Sequence, residues 1–424
     1  MGDAMAHRIL ILGGGTGGTL VANRLQRLFG DEASITVVDC DDTHVYQPGL
    51  LFVPFGLAEP SEIVRPRHAQ LRDGIDFRLA EVERVEIAEN TVHLANGPSV
   101  QYDVLVIATG ASLQPEETEG LTGPEWGRSI HTFYSLEGAT ALRRALEAFE
   151  GGRLVVDVVD MPIKCPVAPL EFCFLADWQL QQRGLRDDVE LTFLTPLDGA
   201  FTEPVASARL DALLSERGIR VESEFATGRV DGPGRRLHSW DEREVPFDLL
   251  VTIPVHGGPE YMTRSPGLGD DLGFVPTDPH TLQSRAAKNI FVIGDASDVP
   301  TSKAGSVTHF EGETVVENIQ RFLNGRELAA SYDGHANCFV ETGFHRALLI
   351  DFDYDVEPLP GRYPERHLGP LSLLAESRLN HLAKLAFQPL YWHVLLPGHD
   401  IPGVSSQFHS TAAQPATQGS EGPR

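Results

Sequence analysis

Basic residues are scarce in this chain. Its 424 residues carry 34 Lys and Arg against 60 Asp and Glu, a net charge of −26. Nucleic-acid binding through counterion release needs clustered Lys and Arg, so nucleic acid is excluded as a partner. Broad electrostatic docking on an anionic membrane is disfavoured for the same reason, although a local membrane contact is not. Cysteine is scarce too. Cys40, Cys165, Cys173 and Cys338 are too few for a disulfide framework and fit a reduced compartment with a few special thiols. No apolar run reaches the ~20 residues of a membrane-spanning helix. Met1 to Arg8 shows no signal-peptide pattern.

What is present is a repeated alternation of short apolar strands and helical patterns. Arg8 to Leu12 opens into Gly13-Gly14-Gly15-Thr16-Gly17-Gly18, a helical pattern runs from Thr19 to Leu28, and Ile35 to Val38 reads as a second buried strand. Further apolar strands are expected at Val104–Ile107, Leu154–Val159, Glu190–Leu194, Leu249–Ile253 and Asn289–Ile293. Such alternation predicts an α/β fold of parallel sheets with helices on their faces. Pro and Gly cluster at 114–127, 228–236 and 254–273, which read as linkers or surface loops.

Gly13, Gly15 and Gly18 satisfy G-x-G-x-x-G after a strand and before a helix. The first glycine permits the tight turn, the second lets backbone approach a pyrophosphate, and the third lets helix pack on strand. The helix N-terminus offers free N–H groups and a positive dipole end to phosphate. Asp39 follows Gly18 by 21 positions, a spacing suited to a ribose hydroxyl. The equivalent turn after Leu154–Val159 reads Asp160-Met161-Pro162-Ile163-Lys164 and holds no glycine. A pyrophosphate cannot approach such a turn closely, so nicotinamide binding there is expected to be lost or degraded.

In that place stands Lys164-Cys165-Pro166-Val167-Ala168-Pro169-Leu170-Glu171, followed by a helical pattern to about Gln182. The helix dipole and Lys164 would both favour a thiolate at Cys165. Cys338 lies in Asn337-Cys338-Phe339-Val340-Glu341-Thr342-Gly343. Cys40 and Cys173 read as structural, as do His131, His256 and His309.

Three segments resemble those of two-dinucleotide flavoproteins: the glycine motif, Ala108-Thr109-Gly110 after its strand, and Gly294-Asp295 after the last strand. The C-P-x-A-P-x-E and N-C-F-x-E-T-G segments are similar to those of the sulfide:quinone oxidoreductases. So are His44-Val45-Tyr46-Gln47-Pro48-Gly49-Leu50 and Pro300-Thr301-Ser302-Lys303-Ala304-Gly305. The resemblance covers roughly residues 8 to 400. It implies two Rossmann-like dinucleotide-binding domains of the disulfide-oxidoreductase type plus a C-terminal amphipathic segment. The expected division is 1–112 and 246–325 for the FAD-binding domain, 113–245 for the second domain, 326–402 for the C-terminal region and 403–424 for a disordered tail.

The resemblance further implies FAD held by Gly13, Gly15, Gly18, Asp39, Pro48, Thr109, Gly110, Gly294, Asp295 and Lys303, with no metal. Cys165 and Cys338 would meet over the flavin as a redox pair that sulfide attacks. Glu171 is the candidate general acid/base, read more plainly as a first-turn Glu complementing its helix dipole. Lys303 precedes a helical pattern to about Phe322, whose N-terminus suits negative charge on a reduced flavin. Many members of that family have a third functional cysteine after the A-T-G segment. None stands between Gly110 and Arg153, so the chain reads as a two-cysteine variant with a non-covalent flavin.

Residues 361–400 carry four basic and three acidic residues, a net +1 in an acidic chain. Leu371, Leu374, Arg378, Leu382 and Leu385 follow helical spacing, and Pro389-Leu390-Tyr391-Trp392-His393 breaks it with an aromatic cluster. This suits either a peripheral membrane anchor or a helix packed on the core or on a twin subunit in a homo-oligomer. The resemblance implies the anchor, with Lys384 near a quinone ring. Rival readings are a type II NADH:quinone oxidoreductase, a sulfide dehydrogenase passing electrons to a cytochrome, and a non-catalytic flavin redox sensor.

Overall fold

The computed structural model describes residues 6–364 and 368–400. The expected tail at 403–424 lies outside the described residues. The first sheet runs Ile290–Val292, Val104–Ile107, His7–Leu12, Ala33–Asp39 and Asp76–Leu79, every neighbour parallel. Alternate residues of these strands enter two separate cores. Ile9, Ile11, Val37 and Val106 face helices, while Leu10, Leu12, Leu105 and Ile107 face the opposite side. Both faces being buried explains why the strands read as unbroken apolar runs rather than alternating ones. Helix α1 (Thr16–Phe29) packs against α5 (Gly305–Leu323) over this sheet.

The second sheet runs Ile130–His131, Leu249–Ile253, Gly152–Val158, Val189–Leu194 and Arg220–Glu222, again all parallel. Leu249–Ile253, expected within the second part of the FAD-binding domain, therefore pairs in the other sheet. The crossing between domains falls just beyond it, where Ser112–Leu113 pairs antiparallel with His256–Gly257. Helices α2 (Leu136–Ala148), α3 (Ala168–Gln182) and α4 (Pro204–Glu216) belong to this part of the chain. The glycine-rich 228–236 stretch is not a loop. It is a hairpin of Thr227–Asp231 with Arg236–Ser239, with Gly232 and Gly234 in the turn and Gly228 at a bulge near the start of the first strand.

The C-terminal region opens with a hairpin, Ala336–Gly343 and Arg346–Phe352, extended by Leu371–Leu373 and Gly361–Tyr363. The helical spacing read from Leu371 starts too early. Leu371 lies in a strand, Leu374 has a positive φ of 52°, and helix α6 spans Arg378–Leu390 with Ser377 as its cap. Beyond Pro389 the chain makes a π-helical turn, Tyr391–Leu395, which folds back onto the first domain. Tyr391 and Trp392 are buried there, so of the two readings of this segment the aromatic cluster follows packing on the core rather than a membrane interface. Leu379, Leu382 and Leu385 stay exposed on α6. Among the described residues no helix is long and apolar enough to cross a membrane.

Candidate functional site

The glycine turn behaves as its sequence requires. Gly13 has φ +93°, and a Cβ there would sit 2.4 Å from the carbonyl oxygen of Ala108. A Cβ on Gly18 would lie 1.8 Å from the carbonyl oxygen of Gly13, which is the helix-on-strand contact. Around Gly15 nothing approaches within 4 Å. That open face, at the N-terminus of α1, fits an elongated dinucleotide whose pyrophosphate lies on the backbone. Asp39 accepts a hydrogen bond from the Gly14 N–H at 2.6 Å and pairs with Arg67 at 3.1 Å. Arg67 carries no spacing signal in the sequence, since its position beside Asp39 comes from the antiparallel pairing of Thr43–Val45 with Val64–Pro66.

This turn opens into a cavity of about 390 Å³. Gly13, Gly15, Asp39, Pro48, Thr109, Gly110, Gly294, Asp295 and Lys303 all line it, and so do Cys165, Glu171, Cys338 and Lys384. Gly18 does not, in keeping with its packing role. Strand ends and helix starts from both sheets thus converge on one space.

Lys303 is no surface cation. Its ammonium donates to the carbonyls of Asp295 (3.1 Å) and Ser297 (2.7 Å) and lies over the Phe274 ring, so it holds the turn that presents Asp295. Burial pushes the Asp295 carboxyl up, partly offset by Lys303 and Lys164. Beneath the same turn, Glu311 accepts from the Gly294 N–H at 2.7 Å, and burial raises its carboxyl to about 7.

The glycine-free turn of the second sheet is drawn across to the first domain. The Cys165 N–H donates to the Lys303 carbonyl at 2.7 Å, and Lys164 and Lys303 form a parallel bridge. The Cys165 carbonyl accepts from the Tyr134 hydroxyl (3.1 Å) and the Ala168 N–H (2.9 Å). These bonds hold Cys165 at φ +46°, a left-handed conformation that a β-carbon disfavours. Cys338 reaches the cavity from Ala336–Gly343. Both thiols are free.

The expected thiolate bias at Cys165 is reversed by burial, which pushes its thiol well up. The nearby Glu171 and Cys338 add to this, while Lys384 opposes it. Cys338 is pushed up to about 12, chiefly by burial. Lys164 does not supply the missing charge, because its own ammonium is buried and pushed down.

Glu171 is more than a dipole complement. Its carboxylate accepts from the Glu341 N–H at 2.6 Å and pairs with the Lys384 ammonium, which also donates to the Phe339 carbonyl at 3.0 Å. Burial raises the Glu171 carboxyl and Lys384 pulls it back. The Lys384 ammonium, in turn, is held up by Glu171 against its own burial. This pair joins α3 to α6 at the cavity wall.

Above the glycine turn, the Tyr391 hydroxyl lies 2.7 Å from Thr16 Oγ1 and 2.6 Å from His44 Nε2. Burial pushes His44 down to about 3, so it is a neutral partner. The C-terminal segment thereby forms part of the wall around the dinucleotide cradle.

Residues 7–156 match the family model of the pyridine nucleotide-disulphide oxidoreductases. The chain is 27% identical to the mitochondrial sulfide:quinone oxidoreductase of Mus musculus, over 93% of this chain and 87% of that one. It is 29% identical to that of Schizosaccharomyces pombe, over 91% and 89% respectively. The chain is thus similar, over nearly its whole length, to enzymes named sulfide:quinone oxidoreductase. Its fold is theirs as well: the sulfide:quinone oxidoreductase structure from Aquifex aeolicus matches with a TM-score of 0.77 at 22% identity, covering 93% of this chain and 92% of that one. These similarities make the chain an oxidoreductase and imply a flavin cofactor.

Proposed function

We propose that this enzyme oxidises sulfide through Cys165 and Cys338 and passes the electrons, by way of non-covalent FAD, to a quinone lodged beside Lys384. One observation carries the reading: both cysteines, the Glu171–Lys384 pair and the glycine cradle line a single cavity. The resemblance to enzymes named for sulfide and quinone supports the choice of donor and acceptor. FAD, when bound, supplies a two-electron acceptor for the thiols and a two-electron donor to the quinone.

The cysteine chemistry balances as follows. Hydrosulfide attacks one sulfur of an oxidised Cys165–Cys338 bridge, breaking the S–S bond and leaving a persulfide on one cysteine and a thiolate on the other. A nucleophilic acceptor removes the outer sulfur, leaving two thiols. Their return to the bridge releases two electrons to the flavin and two protons. On this reading Glu171, raised by burial and pulled back by Lys384, takes a proton, and the same cavity-lining pair would meet the quinone oxygen.

The glycine-free turn opposes the rival that accepts electrons from NADH. The exposed Leu379, Leu382 and Leu385 on α6 support a peripheral membrane contact where quinone enters.

The test is anaerobic absorbance of the yellow holoenzyme titrated with sulfide and then with a short-chain quinone, alongside Cys165→Ser and Cys338→Ser. Sulfide should bleach the flavin and quinone restore it, with bleaching lost in both variants. Bleaching by NADH but not by sulfide would sink the proposal.

A further inference from the structure

The acid–base groups of the cavity do not stop at Glu171. Glu341 is buried on Ala336–Gly343, and its carboxylate lies 2.8 Å from Nδ1 of His381. His381 precedes Lys384 by three residues on α6, so both side chains project from one face of that helix toward the strand. The Glu341 N–H donates to the Glu171 carboxylate at 2.6 Å, and Lys384 donates to that carboxylate and to the Phe339 carbonyl on the same strand, so the two acid–base pairs adjoin. On the outer side, the turn between Gly343 and Arg346 places the exposed His345 with its ring 5.6 Å from that of His381. Exchangeable groups therefore follow one another from the surface to the cavity: His345, His381, Glu341, then Lys384 with Glu171.

A plain structural role does not account for this arrangement. A buried carboxylate is costly unless paired, and a nearby cation alone would satisfy it. Here the partner is a histidine, whose two ring nitrogens let it take a proton on one side and give one on the other. Burial pushes the Glu341 carboxyl up, while His381 and Lys384 draw it back. A carboxyl so poised accepts a proton more readily than an ordinary surface one.

The proposed reaction has a use for such a route. Hydrosulfide, one proton and a quinone give sulfane sulfur and a quinol. Hydrosulfide brings one of the two protons that the quinol carries, so the other comes from solvent. Resting on that functional reading, we propose that His381 and Glu341 relay a solvent proton to Lys384 and Glu171, and through them to the quinone oxygen. In each step one O–H or N–H bond forms as its donor's breaks, and the electrons come from the reduced flavin. The charged and titratable groups facing this route are Glu171 from α3, Lys384 from α6, His345 from the hairpin turn, and the Cys165 and Cys338 thiols at the cavity end.

The experiment follows reoxidation alone. Holoenzyme is reduced anaerobically with stoichiometric dithionite and mixed with a short-chain quinone by stopped flow between pH 5.5 and 8.5. His381→Ala should slow reoxidation by ~10-fold or more above pH 7, with less loss at low pH, and added imidazole should restore it. Glu341→Gln should slow it at every pH without imidazole rescue. Wild-type rates and pH profiles in both variants would overturn the relay. So would a loss in His381→Ala that neither pH nor imidazole moves, since that marks a structural role. Wild-type flavin that quinone fails to reoxidise would instead remove the functional reading beneath it, so the two failures are distinguishable.

Discussion

The Glu171–Lys384 pair lends itself to a double-mutant cycle. Only 2% of the Glu171 side chain and 11% of that of Lys384 are exposed, so solvent screens the pair little. Replacing Lys384 with Met keeps the apolar stem and removes the charge. Glu171 then has the Glu341 N–H but no cation. Breaking one side of a buried pair typically costs ~3–5 kcal/mol, because a charge is left uncompensated. Removing Lys384 also takes away a group that holds the Glu171 carboxyl down, so Glu171 titrates still higher in the variant. A raised carboxyl contributes stability fully below its unfolded value and loses it as pH rises through the folded one. Lys384→Met should therefore be mildly affected near pH 5 and most destabilised near pH 8. Glu171→Gln with Lys384→Met removes both charges and should recover all but ~1–2 kcal/mol. Urea unfolding of the holoenzyme, followed by tryptophan and flavin fluorescence at both pH values, reads the cycle. Additive single losses at pH 8, with a coupling below ~0.5 kcal/mol, would refute the account of the pair.

Gly15→Ala meets no atom, so it should fold normally while binding flavin at least ~10-fold more weakly, since its methyl occupies the space where backbone would meet pyrophosphate. Gly18→Ala should instead cost ~1–3 kcal/mol or more in stability, because its methyl collides with the Gly13 carbonyl. Flavin titration beside thermal melts separates the two. Asp157, fully buried and bonded at 2.8 Å by the Thr227 hydroxyl, is raised to about 7 by burial. Its contribution is full below about 4 and falls by ~4 kcal/mol as pH rises through 7. Asp157→Asn should accordingly gain on wild type between pH 5 and 8, and a melting difference that ignores pH would count against it. Tyr391→Phe leaves buried His44 and Thr16 without their shared hydroxyl. It should cost ~1–3 kcal/mol, measured as a lower melting point of the flavin-bound protein.

What could be read in the sequence was what local pattern encodes. The glycine motif, the buried strands and the start of α3 depend on neighbours within a few residues, and the structure has them near their expected places. The Leu371 to Leu385 spacing was misread because a three-residue strand and a helix turn both suit that pattern. Pairing with Gly361–Tyr363 decides it. Charge partners set by the fold left no local trace. Asp39 finds Arg67 through a short antiparallel ladder, and Glu171 finds Lys384 across 213 positions of chain. The burial of Tyr391 and Trp392 follows from the turn after Pro389 packing on His44 and Tyr46. An amphipathic reading of that segment alone cannot supply those contacts. The reversed bias at Cys165 has the same origin: a helix start and a neighbouring lysine favour a thiolate, but depth in the fold outweighs both.

The turn after Gly152–Val158 has one set of backbone groups and two incompatible uses. To hold a pyrophosphate, it must stay flat, free of side chains and open toward the second sheet. To hold Cys165, it must leave that position, and here it does so through bonds to Lys303, Tyr134 and Ala168. Those three contacts also keep a non-glycine residue at positive φ, a conformation that costs ~1 kcal/mol or more without support. Glycine in place of Cys165 would relax that strain only by removing the thiol itself. On the proposed reading, the loss of a nicotinamide site and the gain of a sulfur site are thus a single structural change. That argues against an enzyme of this design drawing electrons from both NADH and sulfide through the two sides of the same turn.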